Sequence, residues 1–335
     1  MKIQRKEFLR HLESCAPGLS STDNIEQSEC FLFTNGKVYT FNDEVLCQQD
    51  TVVNFRCAAP AKPLLETLRK LTEDEIDISL KDSQLVIKCA NIRQIKLNVQ
   101  LDVIPHYESV DAPGEWSDVP PVFADALAMA ADSAAKDSEA WELTCVELSS
   151  RGLQATDVFQ AVRYKLDCPI SKPTLIKRAA CGAVNELGVA ALAESAGWVH
   201  FKTYTGLQVA VRAYSGSLPD LSDAFRSESE ASLRFPSSLL DALQKAAAFL
   251  ADTGTGKQAQ FRLKPGKIMV RGQNESGIYE EVRDVEYDGP PKCFGINPKH
   301  IQTLLKHDYP VSLTQSALRI RGENFVYLTS TENIV

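Results

Sequence analysis

The histidines and cysteines are the side chains in this 335-residue chain best suited to catalysis or metal binding, and neither set is arranged for it. The five histidines are far apart, and the two that share a predicted helix, His300 and His307, have no ligand partner beside them. The nine cysteines stand singly, without a CxxC pair or a histidine at zinc-ligand spacing. We expect reduced, mostly buried cysteines, no catalytic residue, no metal and no cofactor.

The segment Asp252 to Lys257, DTGTGK, resembles part of a phosphate-binding loop. It lacks the full G-x-x-x-x-G-K-[ST] pattern and follows a predicted helix rather than a strand. A glycine-containing loop that leaves a helix accounts for it equally well. A nucleotide hydrolase is therefore the least favoured alternative, and ATP hydrolysis that Lys257→Ala abolishes would support it.

Charge is distributed unevenly, although the net charge is −8. The six predicted helical segments, 3–13, 61–72, 121–134, 171–181, 237–250 and 297–307, carry 12 basic and 6 acidic residues. The rest of the chain carries 24 basic and 38 acidic residues. Solvated helix faces are the simplest interpretation of any one segment, and 121–134, with Asp125 and Asp132, departs from the pattern. Basic faces on the other five nevertheless indicate a polyanionic partner.

Helical periodicity places a set of cations away from the apolar face of each segment. The predicted polyanion-binding residues are Lys6, Arg10, Lys62, Arg69, Lys70, Lys177, Lys245, Lys299 and Lys306, with Lys136 just beyond the third segment.

An internal repeat sets the architecture. A helix, a strand, a glycine turn and a second strand occur three times, with the glycines Gly36, Gly152 and Gly266 spaced 116 and 114 residues apart. Each copy is followed by a second helix and further strands, starting near Ala61, Ser171 and Phe294. The repeat predicts an α+β fold of three domains, 1–116, 117–225 and 226–335, each with two helices packed on antiparallel sheets.

No apolar run approaches the roughly 18 residues of a membrane span, and the N-terminus lacks an apolar signal region. We therefore expect a cytoplasmic protein that has no membrane partner.

Several short motifs fall in order on this repeat and resemble the bacterial DNA polymerase III beta subunit, the processivity sliding clamp. Ala155-Thr156-Asp157, with Val162 after it, matches part of the family's A-T-D-G-H-R-L stretch. Leu218-Pro219-Asp220 is similar to its F-P-D, and Phe294 with Asn297 to its F-N-x-x-Y. The resemblance covers essentially the whole chain.

The resemblance implies a head-to-tail homodimer forming a six-domain ring, lined by helices, that encircles double-stranded DNA without reading its sequence. Such a clamp has no catalytic activity and tethers a replicative DNA polymerase and a clamp loader. The implied dimer interface comprises Ile95, Leu97, Phe249 and Leu250. The implied partner-peptide groove comprises Thr156, Phe159, Ala161, Pro219, Ala224, Val326 and Leu328.

The sequence also departs from the family. Leu328-Thr329-Ser330-Thr331 and a polar tail ending at Val335 replace the terminal M-P-M-R-L, and Val158-Phe159-Gln160-Ala161 replaces Gly-His-Arg-Leu. These changes fit a divergent, phage- or plasmid-borne clamp with an altered partner preference. A clamp-like adaptor that does not close on DNA is the alternative within the family.

Overall fold

The computed structural model describes residues 1–20, 25–89, 93–253, 256–302 and 304–333. The chain forms two compact units. The first comprises Met1–Ala128, Leu148–Ser150 and Asp167–Gly216, and the second comprises Met129–Glu147, Arg151–Leu166 and Ser217–Val335. The three-domain division of the sequence repeat stays a prediction beside these two units.

Seven α-helices are described, and apolar residues at helical spacing form the buried faces of all but the helix Ser222–Arg226, which has no buried residue. The helices are α1 Arg5–Ser14, α2 Ala61–Lys70, α3 Phe123–Ser133, α4 Arg178–Asn185, α5 Ser222–Arg226, α6 Leu239–Ala246 and α7 Pro298–Ile301. Short 3-10 turns extend α6 through Ala247–Phe249 and follow α7 at Leu304–Lys306. Leu64, Leu65 and Leu68 are the buried leucines of α2, as the periodicity predicts.

Antiparallel strands make up most of the rest, and their bounds are as follows. The strands are β1 Lys2–Gln4, β2 Cys30–Thr34, β3 Lys37–Phe41, β4 Val45–Asp50, β5 Cys57–Pro60, β6 Glu75–Lys81, β7 Gln84–Cys89, β8 Arg93–Asn98, β9 Ser117–Asp118, β10 Cys145–Ser149, β11 Gly152–Thr156, β12 Gln160–Lys165, β13 Thr174–Lys177, β14 Val189–Ser195, β15 Trp198–Thr203, β16 Gln208–Arg212, β17 Ala231–Arg234, β18 Asp252–Thr253, β19 Gly256–Lys257, β20 Ala259–Lys264, β21 Lys267–Asn274, β22 Gly277–Asp284, β23 Lys292–Ile296, β24 Pro310–Leu313, β25 Ala317–Arg321, β26 Phe325–Ser330 and β27 Glu332–Asn333. The predicted α+β fold class is confirmed.

The first unit contains two antiparallel sheets. One has the order β1-β6-β7-β8, and the other has the order β5-β2-β3-β4-β16-β15-β14-β9. The second sheet continues across the predicted boundary at residue 116, because β4 pairs with β16 from Val45↔Val211 to Gln48↔Gln208. Phe31, Phe33 and Phe201 are fully buried in this unit.

The second unit has the corresponding arrangement. Six of its strands pair in the order β11-β12-β26-β25-β24-β17, and five more pair in the order β22-β21-β20-β23-β27. Here β12 pairs with β26 from Gln160↔Thr329 to Tyr164↔Phe325, so this sheet continues across the predicted boundary at residue 225.

The three repeat glycines adopt the backbone conformation that the turn requires. Gly36, Gly152 and Gly266 have φ angles of 71°, 128° and 73°, a region that other L-residues rarely occupy. Gly152 is also the most tightly packed, because a Cβ placed there would lie 1.9 Å from the Tyr164 carbonyl oxygen. The glycine period is therefore a property of the backbone as well as of the sequence.

The prediction of a helix over 171–181 is wrong for the residues before Arg178. Thr174–Lys177 is strand β13, and α4 begins only at Arg178. Leu175 and Ile176 are both buried on that strand, and Leu175 pairs with Tyr214. Adjacent apolar residues after a proline fit either a helix or a strand that is buried on both faces. Here the pairing of Leu175 with Tyr214 selects the strand.

The cysteine prediction is confirmed: all nine are free thiols, eight are buried and Cys293 is half-buried. Burial raises the pKa of the Cys47 thiol to about 12, so it stays protonated. Within the described ranges, no three or more histidine, cysteine, aspartate or glutamate residues are placed to hold a metal ion. No helix among those residues is long and apolar enough to cross a membrane.

Candidate functional site

A tight turn between β11 and β12 carries the residues of the A-T-D motif. The Asp157 carboxylate accepts hydrogen bonds from the backbone N–H groups of Phe159 (3.0 Å) and Gln160 (2.8 Å), and from the Gln160 side-chain amide (2.9 Å). The Thr156 hydroxyl donates to the Gln160 carbonyl at 2.7 Å and accepts from the Val158 N–H at 3.0 Å. The motif residues therefore fix the shape of this turn.

Two apolar residues protrude from the turn, and we call Val158 and Phe159 the tip. Val158 is 69% exposed and Phe159 50% exposed. Val158 has a φ of 77°, which is a strained conformation for a β-branched residue. Backbone strain on an exposed apolar residue is a feature that sequence periodicity does not reveal, although the glycine of the family motif at this position was a signal for it.

A buried polar network holds Gln160, the residue that follows the tip. The Tyr327 hydroxyl donates to the Gln160 side-chain oxygen at 2.6 Å, and the Gln160 amide also donates to the Asp132 carbonyl at 3.0 Å. Burial raises the pKa of Tyr327 well above its usual value, so the hydroxyl remains a donor. The His300 ring nitrogen Nδ1 lies 2.9 Å from the Thr329 hydroxyl, and burial lowers the pKa of His300.

Three of the predicted groove residues form a row across adjacent strands: Thr156 pairs with Ala161, and Ala161 pairs with Leu328. All three are buried, while Val326 is half-buried. Phe159, Pro219 and Ala224 are exposed. The structure thus brings three of the predicted residues together in one row and leaves three others exposed, and the groove and its use by a partner stay predictions.

A short segment that includes α5 crosses the same face of the sheet. The Arg163 guanidinium on β12 lies 4.5 Å from the centre of the Phe225 ring. On β25, an Arg319 nitrogen donates to the carbonyl (2.5 Å) and hydroxyl (2.8 Å) of Ser227. Strand β26 lies between β12 and β25, so these two contacts of the segment lie on either side of β26. Sequence reasoning missed both arginines, because their contacts Phe225 and Ser227 come from a segment far away in the sequence.

The predicted polyanion-binding cations divide into two groups. Five carry an ion pair: Lys6 with Asp74, Arg69 with Glu13, Lys70 with Glu66, Lys177 with Glu44, and Lys245 with Asp241. The other five are exposed and form no ion pair with a carboxylate in the part of the chain that the structure describes. These are Arg10, Lys62, Lys136, Lys299 and Lys306.

Lys177 is placed differently from its prediction. It ends strand β13 instead of lying on a helix face, and its ammonium group donates to Glu44 at 2.7 Å. The hydrogen bond to Glu44 raises the pKa of Lys177. The Tyr214 hydroxyl donates to the same carboxylate at 2.6 Å. The positive charge of Lys177 is therefore already paired within the chain.

The residues predicted at a dimer interface lie at or near free sheet edges. Ile95 and Leu97 are half-buried on β8, the last strand of its sheet. The Phe249 ring stacks on Tyr279 of β22, the edge strand of its own sheet, at 6.0 Å between centroids. Leu250 is buried in its own unit. Ile278 and Val282 on β22 are exposed apolar residues that the sequence analysis did not select.

The DTGTGK segment shows no helix after its glycines. Asp252 pairs with Lys257 and Thr253 with Gly256 in the hairpin of β18 and β19, while Gly254 and Thr255 lie outside the described residues. A phosphate-binding loop requires a strand, a loop and then a helix N-terminus, so the described flanks do not support the resemblance. The last two residues of the polar tail, Ile334 and Val335, also lie outside the described residues.

The fold is similar to that of bacterial DNA polymerase sliding clamps over the whole length of both chains. The sliding clamp from Bacillus subtilis is 16% identical, with 100% of this chain and 99% of that chain covered and a TM-score of 0.82. The beta subunit of DNA polymerase from Streptococcus pyogenes is 14% identical, with 99% of each chain covered and a TM-score of 0.83.

A third structure shows a clamp with a bound ligand: the Pseudomonas aeruginosa sliding clamp with griselimycin, 15% identical, with 100% of this chain and 99% of that chain covered and a TM-score of 0.83. No family model and no curated protein matches the sequence. At these identities the likeness establishes the fold, and this chain has the sliding-clamp fold.

Proposed function

We propose that this chain, given its sliding-clamp fold, is a divergent DNA polymerase III beta subunit: a cytoplasmic, non-enzymatic homodimer that encircles duplex DNA. The observation that carries the proposal is the fold likeness, which covers 99% or more of this chain and 99% of each clamp compared. The proposed role is to tether a replicative polymerase and its loader to DNA.

The DNA contact is proposed to be electrostatic and independent of sequence. The five exposed cations without an ion pair in the described chain all lie on or beside helices, and each is free to approach a phosphate. The five paired cations would first exchange a carboxylate for a phosphate, so we assign them a smaller contribution. A sliding protein needs phosphate contacts without bidentate base contacts, and such contacts weaken with salt.

Retention on circular DNA tests this proposal. The protein is dissociated by dilution, concentrated again with a nicked circular plasmid and passed through a gel-filtration column. We expect co-elution with the circle and release after linearisation. A dimer that is never retained on the circle would instead support the adaptor alternative.

Charge reversal then tests the proposed DNA-binding surface. Changing Arg10, Lys62, Lys299 and Lys306 to Glu should abolish retention while the dimer persists. The matched control reverses four exposed cations on strands, which also lack an ion pair in the described chain: Lys81, Lys165, Arg262 and Lys264. Equal retention of the two quadruple variants would contradict the proposed helix surface.

The dimer is proposed to form by pairing of the two free sheet edges. Strand β8 presents the exposed Lys96 beside Ile95 and Leu97, together with Arg93, which pairs with Glu73 at 3.1 Å. Strand β22 presents the exposed Ile278 and Val282, together with two acidic residues that would exchange partners within the chain for the other edge: Glu280, paired with Arg271, and Asp284, paired with Lys267. Opposite charges and apolar residues thus alternate on both edges, and an unpaired edge is a ready template for another strand. Two edges on each chain allow a closed, head-to-tail pair.

Light scattering tests this interface. Replacing Ile95 and Leu97 by Lys should give a folded monomer of 36.9 kDa, half the dimer mass. The matched control is Leu101→Lys, which alters an exposed apolar residue that follows the same sheet. A dimer that survives the double substitution would contradict the β8 edge as an interface.

The groove is proposed to bind the extended apolar-aromatic peptides of polymerases and loaders. A peptide such as QLxLF should bind with a dissociation constant near 1 μM, which corresponds to about −8 kcal/mol. Leu328→Asp should weaken binding at least tenfold. Because Leu328 is buried, the exposed Phe159→Ala provides a second variant that should not disturb folding. Equal binding by wild type and both variants in titration calorimetry would place the partner site elsewhere.

A further inference from the structure

Two neighbouring arginines lie on strand β25, and we call Arg319 and Arg321 the arginine pair. Arg319 pairs with Leu328 across the sheet and Arg321 pairs with Val326, so both lie beside the proposed groove. Residues two apart on a strand point to the same face. Neither arginine forms an ion pair with a carboxylate among the residues that the structure describes.

The buried member of the arginine pair is incompletely satisfied. Arg319 is only 4% exposed, and its side chain donates from one terminal nitrogen to the carbonyl and hydroxyl of Ser227. Its Nε atom is buried and has no hydrogen-bond partner in the structure. A buried guanidinium without a carboxylate carries a desolvation cost that an incoming anion would reduce. Arg321 is exposed next to it and available to a ligand.

Asp220, an acidic residue just before α5, is engaged elsewhere. Asp220 accepts a hydrogen bond from the Ser222 N–H at 2.9 Å, and hydrogen bonds to Ser222, with smaller effects of the Arg226 and Arg163 charges, lower its pKa. Arg163 is on β12, and β26 separates that strand from the arginine pair on β25. The positive charge of the arginine pair is therefore not balanced by Asp220.

The tip provides an apolar contact at a definable distance from the arginine pair. The Phe159 carbonyl accepts a hydrogen bond from the Ser330 N–H at 2.7 Å, so the tip lies level with Ser330 on β26. Arg321 lies level with Val326, four residues earlier on β26 and two strands across from β12. Four residues along a strand and two strand spacings across give a separation of about 16 Å, or about five residues of extended chain.

We propose that the natural partner of this groove is an extended peptide carrying an apolar or aromatic anchor for the tip and a carboxylate, about five residues from the anchor, for the arginine pair. This inference rests on the proposed peptide groove and adds the chemical class of its ligand. The carboxylate would pair with the exposed guanidinium of Arg321 and add the counter-charge that Arg319 lacks. Apolar anchoring provides affinity, and the charged hydrogen bond fixes the register of the peptide.

Titration calorimetry with paired peptides tests the proposal. The parent peptide is amidated Gln-Leu-Ser-Leu-Phe, extended at either end so that Glu or Gln stands five positions from the Phe. One of the two Glu peptides should bind about three- to tenfold more tightly than its Gln counterpart, as expected for a partly exposed ion pair. Arg321→Gln should remove that difference and leave binding of the Gln peptide unchanged.

A matched arginine elsewhere in the same unit provides the control. Arg262→Gln alters an exposed arginine on β20, and it should preserve the preference for Glu. Equal binding of Glu and Gln peptides by the wild type overturns the carboxylate proposal while the peptide groove stands. If none of the peptides binds, the proposed groove itself fails. If Arg321→Gln instead reduces retention on circular DNA and leaves the Glu preference intact, the arginine pair is a phosphate contact and the proposal is wrong.

Discussion

The strained tip residue gives the sharpest prediction about stability: Val158→Gly should stabilise the second unit. Val158 is 69% exposed, so its side chain loses little burial when it is removed. A left-handed backbone costs a residue with a Cβ about 1 to 2 kcal/mol, and a β-branched side chain lies at the upper end of that range. Glycine adds about 0.5 to 1 kcal/mol of backbone entropy to the unfolded chain. The expected net gain is therefore about 0.5 to 1 kcal/mol in the free energy of unfolding.

Hydrogen exchange followed by mass spectrometry measures this change locally. Amides of β12 and β26 should exchange about two- to fivefold more slowly in the variant, which is that gain expressed as an equilibrium constant. Val52→Gly is the matched control, because Val52 is also exposed, at 65%, but does not have a positive φ. The control should destabilise its own unit. If Val158→Gly is equally destabilising, the left-handed backbone is not a source of strain and the reasoning is refuted.

Three further predictions concern single residues. Asp157→Ala should cost the second unit about 2 to 3 kcal/mol in a urea unfolding experiment, because two backbone amides lose their acceptor, and Asp157→Asn should recover part of that loss. Gly152→Ala should prevent folding of the β11–β12 hairpin, because its Cβ would overlap the Tyr164 carbonyl. A Cβ at Gly266 would meet no atom within 4 Å, so Gly266→Ala should lower the free energy of unfolding by only about 1 kcal/mol in thermal unfolding. Burial lowers the pKa of His200 to about 4, so the unfolded chain takes up a proton first as pH falls. The free energy of unfolding of the first unit should therefore be highest above about pH 6.5 and fall by up to about 3 kcal/mol towards pH 4. In unfolding measurements at pH 7 and 4.5, His200→Gln should reduce that fall.

The sequence is informative where one physical constraint determines a residue. The period of Gly36, Gly152 and Gly266 reflects a turn with a positive φ, which glycine adopts at the lowest cost, and the structure has a positive φ at all three positions. The buried face of α1 follows from helical spacing alone, since Phe8 and Leu12, one turn apart, are buried and Leu9 beside them is half-buried. Repeat order and helix faces are therefore accessible from one sequence.

The sequence is less informative where pairing between distant strands decides the outcome. Leu175 and Ile176 fit a helix by spacing, but pairing with Tyr214 places them in a strand. Lys177 was predicted on an exposed helix face, and its partner Glu44 is 133 residues away. Arg319 was missed for the same reason, because its neighbours Ser227 and Leu328 come from other segments. Such contacts have no local signature.

The pairing of β4 with β16, and of β12 with β26, has a consequence for anyone who divides this chain into fragments. Each pairing crosses a boundary of the sequence repeat, so a protein ending at residue 116 would leave β4 without its neighbour, and one ending at 225 would leave β12 bare. A bare strand of this length invites association with another copy. Single repeats should therefore be poorly soluble when expressed alone. The unit of sequence duplication and the compact unit of the fold are thus different pieces of the chain.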